Sequence, residues 1–203
     1  MIKLLVMDMN GTIAAKHTSI ALAEAAGKKK EAEMIVAMRA NGDLQLGGNV
    51  STTRLLKGLS MEKAKQVLEK IQPAEGVKEL VCELKAKGIE CAIVTTGYAM
   101  AAEALAKKIG VSEVHANKLM ENKGLLTGEY EKSIVTPEDK VRVVEEMRKA
   151  KGLKKREVAV IGDSLSDTKL FDSYKAFAYR QKRILKGKGI VILNPLEILE
   201  HLE

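Results

Sequence analysis

Four short stretches of this chain carry residues able to do chemistry together. Asp8-Met9-Asn10-Gly11-Thr12 sets a carboxylate just ahead of an amide and a glycine. Thr95-Thr96-Gly97 supplies adjacent hydroxyls, Lys140 a cation, and Gly162-Asp163-Ser164-Leu165-Ser166-Asp167 two more carboxylates. Carboxylates gathered in one crevice repel one another and are stabilised by a hard cation, for which Mg²⁺ is the usual choice beside phosphates. A carboxylate next to such a metal can attack phosphorus and form an aspartyl phosphate. Hydroxyls and the free backbone N–H groups of a glycine turn bind phosphate oxygens, a role open to Thr95, Thr96 and Gly11. Lys140 can neutralise charge on the nucleophile and on the phosphoryl group. The set describes phosphoryl transfer by positioning and electrostatics.

Such a set works only if the elements around it bring it together. Ile2 to Met7 is an almost continuous apolar run, which predicts a strand buried on both faces. From about Thr18 to Leu68 apolar residues recur at helical spacing, and Gly42, Gly47-Gly48 and Gly58 divide the stretch into four predicted helices. Pro73 closes it. Alternation then begins: helix Val77–Lys87, strand Ile89–Val94, helix Tyr98–Ile109, and a hairpin of Asn117–Met120 and Leu125–Tyr130 around Asn122-Lys123-Gly124. Helix Pro137–Ala150 is announced by Thr136 as N-cap, Pro137 at its first position and Asp139 in its first turn. Strand Glu157–Ile161, helix Ser166–Tyr174, strands Ala176–Tyr179 and Ile190–Leu193, and a short helix from Pro195 complete the expectation.

Strands alternating with helices imply an α/β fold, a three-layer Rossmann-like parallel sheet with a helical insertion after the first strand. The expected division is a core of 1–15 and 74–203 and a helical cap of 16–73. Parallel sheets bind ligands beyond the carboxyl ends of their strands, where strand order reverses. Asp8, Thr95 and Asp163 each fall at such an end. Lys140 falls in the first turn of a helix, where a cation is electrostatically unfavourable unless a carboxylate meets it.

Composition narrows the function further. The chain has 203 residues, 46% hydrophobic with only 3% aromatic and no Trp, so its core must be aliphatic. No apolar run approaches the ~18 residues that would span a membrane, and Asp8 arrives too soon for a signal-peptide core. A cytoplasmic setting is expected. The net charge is +7, but its lysines (Lys28-Lys29-Lys30, Lys154-Lys155-Arg156, Lys182-Arg183) are scattered and not interleaved with aromatics. They suit an anionic small molecule better than a nucleic acid. Cys82 and Cys91 read as buried, reduced thiols. Oligomeric state is not readable from these features.

The order and spacing of the acidic, hydroxyl and lysine motifs resemble the haloacid dehalogenase superfamily of phosphatases, from residue 1 to about 195. Within it, the cap length, the hairpin and Lys140 are most similar to the phosphoserine-phosphatase branch. The resemblance implies a Mg²⁺-dependent phosphomonoesterase for a small phosphorylated metabolite. By it Asp8 is the nucleophile and a metal ligand, and residue 10 offers its backbone carbonyl to the metal. Thr95 is the phosphate-binding hydroxyl, Asp163 a metal ligand, and Asp167 a second acid that ligates the metal or orients its water. The helical stretch after the first motif resembles a mobile cap that closes over substrate.

Two departures stand out. Most phosphatases of this superfamily carry Asp two residues after the nucleophile, where it trades a proton with the leaving group and the attacking water; here that residue is Asn10. Losing a general acid–base lowers a rate by about 10²–10⁴. An engineered Asp-to-Asn change made to trap a ligand, a natural chain with little turnover, and a proton from His17 or the substrate all remain open. A phosphotransferase or mutase, and a catalytically weak phosphate-binding regulator, are the alternative functions. In the cap, phosphoserine phosphatases hold the substrate amine with an acid and its carboxylate with an arginine. His17 stands where the acid would be, and Arg54 lies one residue from the expected arginine.

Overall fold

The computed structural model describes residues 1–41, 48–131, 133–180 and 185–203. Their strands are β1 (Leu4–Met7), β2 (Glu90–Tyr98), β3 (Glu113–Asn117), β4 (Leu119–Asn122), β5 (Leu125–Tyr130), β6 (Val158–Gly162), β7 (Lys175–Tyr179) and β8 (Ile190–Ile192). Six of them form one sheet in the order β3-β2-β1-β6-β7-β8, parallel throughout. The order reverses at β1, so a crevice opens at its carboxyl end, beside Asp8.

Side chains alternate between the two faces of this sheet, and both faces are apolar. Leu5, Met7, Ile93, Ala159, Ile161 and Phe177 point to one face. There they meet helices α5 (Val77–Ala86) and α6 (Ala99–Ile109) through Leu80, Leu84 and Leu105. Leu4, Val6, Ala92, Val94, Val160 and Ala178 point to the other. They pack on α7 (Pro137–Ala150) and α8 (Thr168–Ser173) through Val144, Met147 and Leu170. The result is the three-layer α/β architecture expected from the alternating pattern. The last element, Pro195–His201, is a 3-10 helix and packs against α5.

Four helices intervene between β1 and α5: α1 (Thr18–Ala25), α2 (Lys29–Asn41), α3 (Gly48–Arg54) and α4 (Met61–Glu69). The chain leaves and re-enters the sheet layer through a paired neck, with Ala15 N donating to Gln72 O (3.0 Å) and Ala74 N to Ile13 O (2.8 Å). Leu22, Leu56 and Leu68 join the same apolar cluster as β1 and α5, so the inserted segment packs onto the sheet side of the molecule. The predicted breaks at Gly42 and Gly47, and the basic pair Lys182-Arg183, lie outside the described residues.

Three expectations change. The hairpin is β4–β5, and Asn117 does not belong to it: Glu113–Asn117 is a strand of the main sheet, too polar to read as one. The hairpin turn is Lys123-Gly124, both at positive φ (50° and 78°), which suits a two-residue connection. The cysteines are free thiols but not a buried pair, since Cys82 is exposed on the outer face of α5 and Cys91 is half-buried. Among the described residues no helix is long and apolar enough to cross a membrane.

Candidate active site

At the carboxyl end of β1, Asp8 is buried, and the backbone then turns sharply at Gly11 (φ +84°). A side chain at Gly11 would strain this φ and collide with the Asp163 carboxylate. Asp163 follows β6, the neighbour of β1, so the parallel register sets the two acids side by side. Gly162 plays the same part for Asp167: a Cβ there would lie 2.5 Å from the Asp167 carboxyl carbon. Glycines at these positions let three carboxylates approach more closely than side-chain volume would otherwise allow.

Asp8, Asp163 and Asp167 are all buried, with an oxygen from each within 4.8 Å of the others. Lys140 is also fully buried, donating to Asp8 Oδ1 at 2.5 Å and to Asp167 Oδ1 at 2.7 Å. Burial pushes the Asp8 carboxyl up to about 7; Lys140 pulls it down, while Asp167 and Asp163 push it up again. Burial alone would depress the Lys140 ammonium, but the charges of Asp167 and Asp8 outweigh it and hold it above its ordinary value. Three carboxylates against one ammonium leave two negative charges, the charge of one divalent cation. All-oxygen donors of this number and burial fit a hard cation such as Mg²⁺.

The acids differ in how much of their capacity is spent. Asp167 Oδ2 accepts from Asp163 N (3.2 Å), Ser164 N (3.0 Å) and Ser164 Oγ (2.9 Å), while its Oδ1 holds Lys140. It is thus anchored through both oxygens, and one of them orients Lys140. Asp163 Oδ1 accepts from Thr12 Oγ1 at 3.3 Å.

Thr95 and Thr96 are buried where β2 parts from β3. Val94 pairs with His115 and Tyr98 with Asn117, so Thr95-Thr96-Gly97 bulges out of the ladder. Thr95 Oγ1 accepts from Gly97 N at 3.0 Å. A Cβ at Gly97 would crowd Met9 and lie 3.1 Å from Asn10 Nδ2, so the bulge rests against the first motif. The clamp behind it is Asn117, which sequence reasoning had placed in the hairpin. Its fully buried amide donates to Thr96 O (2.9 Å) and Ile134 O (2.8 Å) and accepts from Ser133 N, Ser133 Oγ and Ile134 N. It thereby ties the bulge to the segment that leads into α7. There Thr136 and Asp139 form the reciprocal capping box that starts the helix and fixes Lys140.

Asn10 faces the inserted helices. Its Oδ1 accepts from Thr18 N at 2.8 Å, satisfying one of the exposed donors at the start of α1. His17 is the half-buried residue just before that helix. Arg54, the sequence candidate for an anion contact, is exposed at the end of α3, its backbone against the site where a Gly128 side chain would stand. Arg39 on α2 also lies within electrostatic reach of Asp8 and Asp163. Nothing in the Met- and Ala-rich run around Arg39 marks it beyond being a lone cation there.

Comparison with known proteins agrees with this geometry. A family model described as haloacid dehalogenase-like hydrolase matches residues 5–172. The phosphoserine phosphatase of Methanocaldococcus jannaschii is 28% identical over 203 residues, covering 99% of this chain and 96% of that protein. That of Streptococcus thermophilus is 33% identical over 168 residues, covering 81% and 77%. A solved structure described as a phospho-aspartyl intermediate analogue of phosphoserine phosphatase superposes with a TM-score of 0.94 at 29% identity. It covers 100% of this chain and 99% of its own.

Proposed function

The chain belongs to the haloacid dehalogenase-like hydrolases, and from that premise we propose that it is a Mg²⁺-dependent phosphomonoesterase for a small phosphorylated metabolite. The observation that carries this reading is the buried ion cluster in which Lys140 bridges Asp8 and Asp167 beside Asp163. Asp8 is the nucleophile, and Lys140, by holding one of its oxygens, sets the rotation of the carboxylate that faces phosphorus. The bond from Asp8 to phosphorus forms as the ester oxygen leaves, and water then cleaves the resulting aspartyl phosphate. The structural relative described as a phospho-aspartyl intermediate analogue supports that route. The Thr95 hydroxyl and the backbone N–H groups of Gly11 and Thr96 hold the phosphoryl oxygens.

Asp8, Asp163 and the Asn10 carbonyl would hold the metal, and Asp167 would orient its surroundings from the second row. When bound, the cation supplies charge neutralisation between nucleophile and phosphoryl group. Residues 16–73 act as a cap over the site, hinged at the neck paired between 13–15 and 72–74.

Asn10 keeps its place in this arrangement but cannot exchange a proton, so this chain binds phosphate esters better than it turns them over. That same residue favours a second reading, a phosphate-binding regulator with little turnover. Hydrolysis of an aryl phosphate with Mg²⁺ by this chain and by Asn10→Asp separates the two. The proposal expects restoring the acid to raise kcat by about 10²–10⁴. Comparable, robust rates in both would refute the assignment of the proton to residue 10. If neither chain turns over while both bind phosphate esters, the regulator reading stands.

A further inference from the structure

Tyr98, the last residue of β2, directly follows the Thr95-Thr96-Gly97 bulge. Its side chain is 1% exposed, and its ring lies in the apolar cluster that also holds Leu22 of α1 and Leu56. A phenol carried that deep needs a partner for its oxygen. It finds one on the inserted helices, where its hydroxyl lies 2.9 Å from Thr53 Oγ1 of α3. Thr53, its neighbour Thr52 and Ser19 of α1 are all buried. Burial pushes the Tyr98 phenol up, and hydrogen bonds with Thr53, Thr52 and Ser19 pull it back. A knot of hydroxyls thus joins the end of a sheet strand to two of the inserted helices. The backbone of the same tyrosine serves the bulge. Tyr98 pairs with Asn117 where the β2–β3 ladder resumes, and Asn117 Nδ2 donates to Thr96 O at 2.9 Å.

The geometry points to Tyr98 as a positioning residue that couples docking of the helical cap to the shape of the phosphate-binding bulge. The proposal rests on the phosphatase reading above, which makes the bulge the phosphate site. Contacts run without a break from Thr53 through Tyr98 and Asn117 to Thr96. A docked cap fixes the phenol, and the phenol fixes the end of β2. The end of β2 then holds the backbone N–H groups of the bulge in place before phosphate arrives, which lowers the cost of binding. Linkage makes the effect reciprocal, so phosphate held by the bulge must also tighten the cap. The oxygen carries the tie, because a phenylalanine would fill the same apolar space without it.

Tyr98→Phe tests this on the full Mg²⁺-loaded chain, with inorganic phosphate as the probe. Hydrogen exchange read by mass spectrometry follows peptides 16–26 and 48–56, and titration calorimetry gives the phosphate affinity. In the unaltered chain phosphate should slow exchange in both peptides. In Tyr98→Phe both should exchange about 3- to 10-fold faster, and phosphate should no longer slow them. Phosphate affinity should fall by about 3- to 10-fold. Thr53→Val removes the other end of the pair and should reproduce these changes, while the double variant should add little to either. Tyr174→Phe is the control, since it deletes a buried phenol oxygen bonded to Glu145 on the other face of the sheet. It should leave cap exchange and phosphate affinity within about twofold. Circular dichroism verifies folding of every variant. Phosphate that still slows the cap in Tyr98→Phe, or binds it as tightly, overturns the coupling but leaves the phosphate site standing. So do equal changes in Tyr174→Phe, which would mark a general loss of stability, and additive losses in the double variant. Failure of the unaltered chain to bind phosphate overturns both readings.

Discussion

A lysine four residues into a helix sits where the helix field disfavours it, yet Lys140 is fully buried there. Its surroundings reverse the sign of that effect, because two carboxylates meet the ammonium at 2.5 and 2.7 Å. Removing the cation would leave the acids facing each other. Breaking such a buried pair costs about 3–5 kcal/mol. Lys140→Met should lose that much stability by urea denaturation in EDTA, and recover part of it in Mg²⁺ as the metal takes over the charge. An unchanged midpoint in EDTA would show that Lys140 does not hold the cluster together. Asn10 teaches the complementary point. Its amide oxygen satisfies the start of α1, so a residue that cannot transfer a proton still performs the structural half of its position's work.

Between elements, the site depends on a departure from regular pairing. β2 is a good strand up to Val94, and its last residues serve the site only because the ladder with β3 is interrupted there. Asn117 holds the interruption open with five side-chain hydrogen bonds, which occupy both N–H groups of its amide and crowd three donors onto its oxygen. Asn117→Ala would leave several buried backbone groups unpaired, each worth about 1–3 kcal/mol. Stability should fall by roughly 2–4 kcal/mol in urea, and phosphate affinity should fall with it because Thr96 loses its tether. Loss of stability with unchanged phosphate affinity would show that the bulge is held by other contacts.

For the molecule as a whole, the candidate cation site joins parts far apart in the chain. Asp8, Lys140 and Asp163 come from β1, α7 and the end of β6, and Asn10 links the first of these to α1. Binding that exists only in the folded state stabilises all of it by mass action, by about 2.7 kcal/mol at a hundredfold excess over Kd. The melting temperature should therefore rise with Mg²⁺, return on adding EDTA, and respond much less in Asp163→Asn. Hydrolysis that persists in EDTA would contradict the metal dependence.

The amino-acid sequence alone determined the alternation of strands and helices, the parallel sheet, and the placing of Asp8 and Asp163 at strand ends; the strand predicted to end at Val94 instead carries Thr95 in the irregular stretch of a β2 that runs to Tyr98. These follow from apolar periodicity and from glycine and proline punctuation, which act over a few residues. Lys140 was legible for a similar reason, since its misfit with the helix field is local. Only the tertiary structure decided what depends on partners remote in sequence. Asn117 looked like a hairpin residue because its hydrogen-bond partners lie 16 to 21 residues away. The nearness of Arg39 to Asp8 and Asp163 was of the same kind, because the rotation of a cap helix is set by its packing. A helix's sequence shows which of its faces is apolar, but which charged side chain then overlooks the crevice is settled by the surface it packs on.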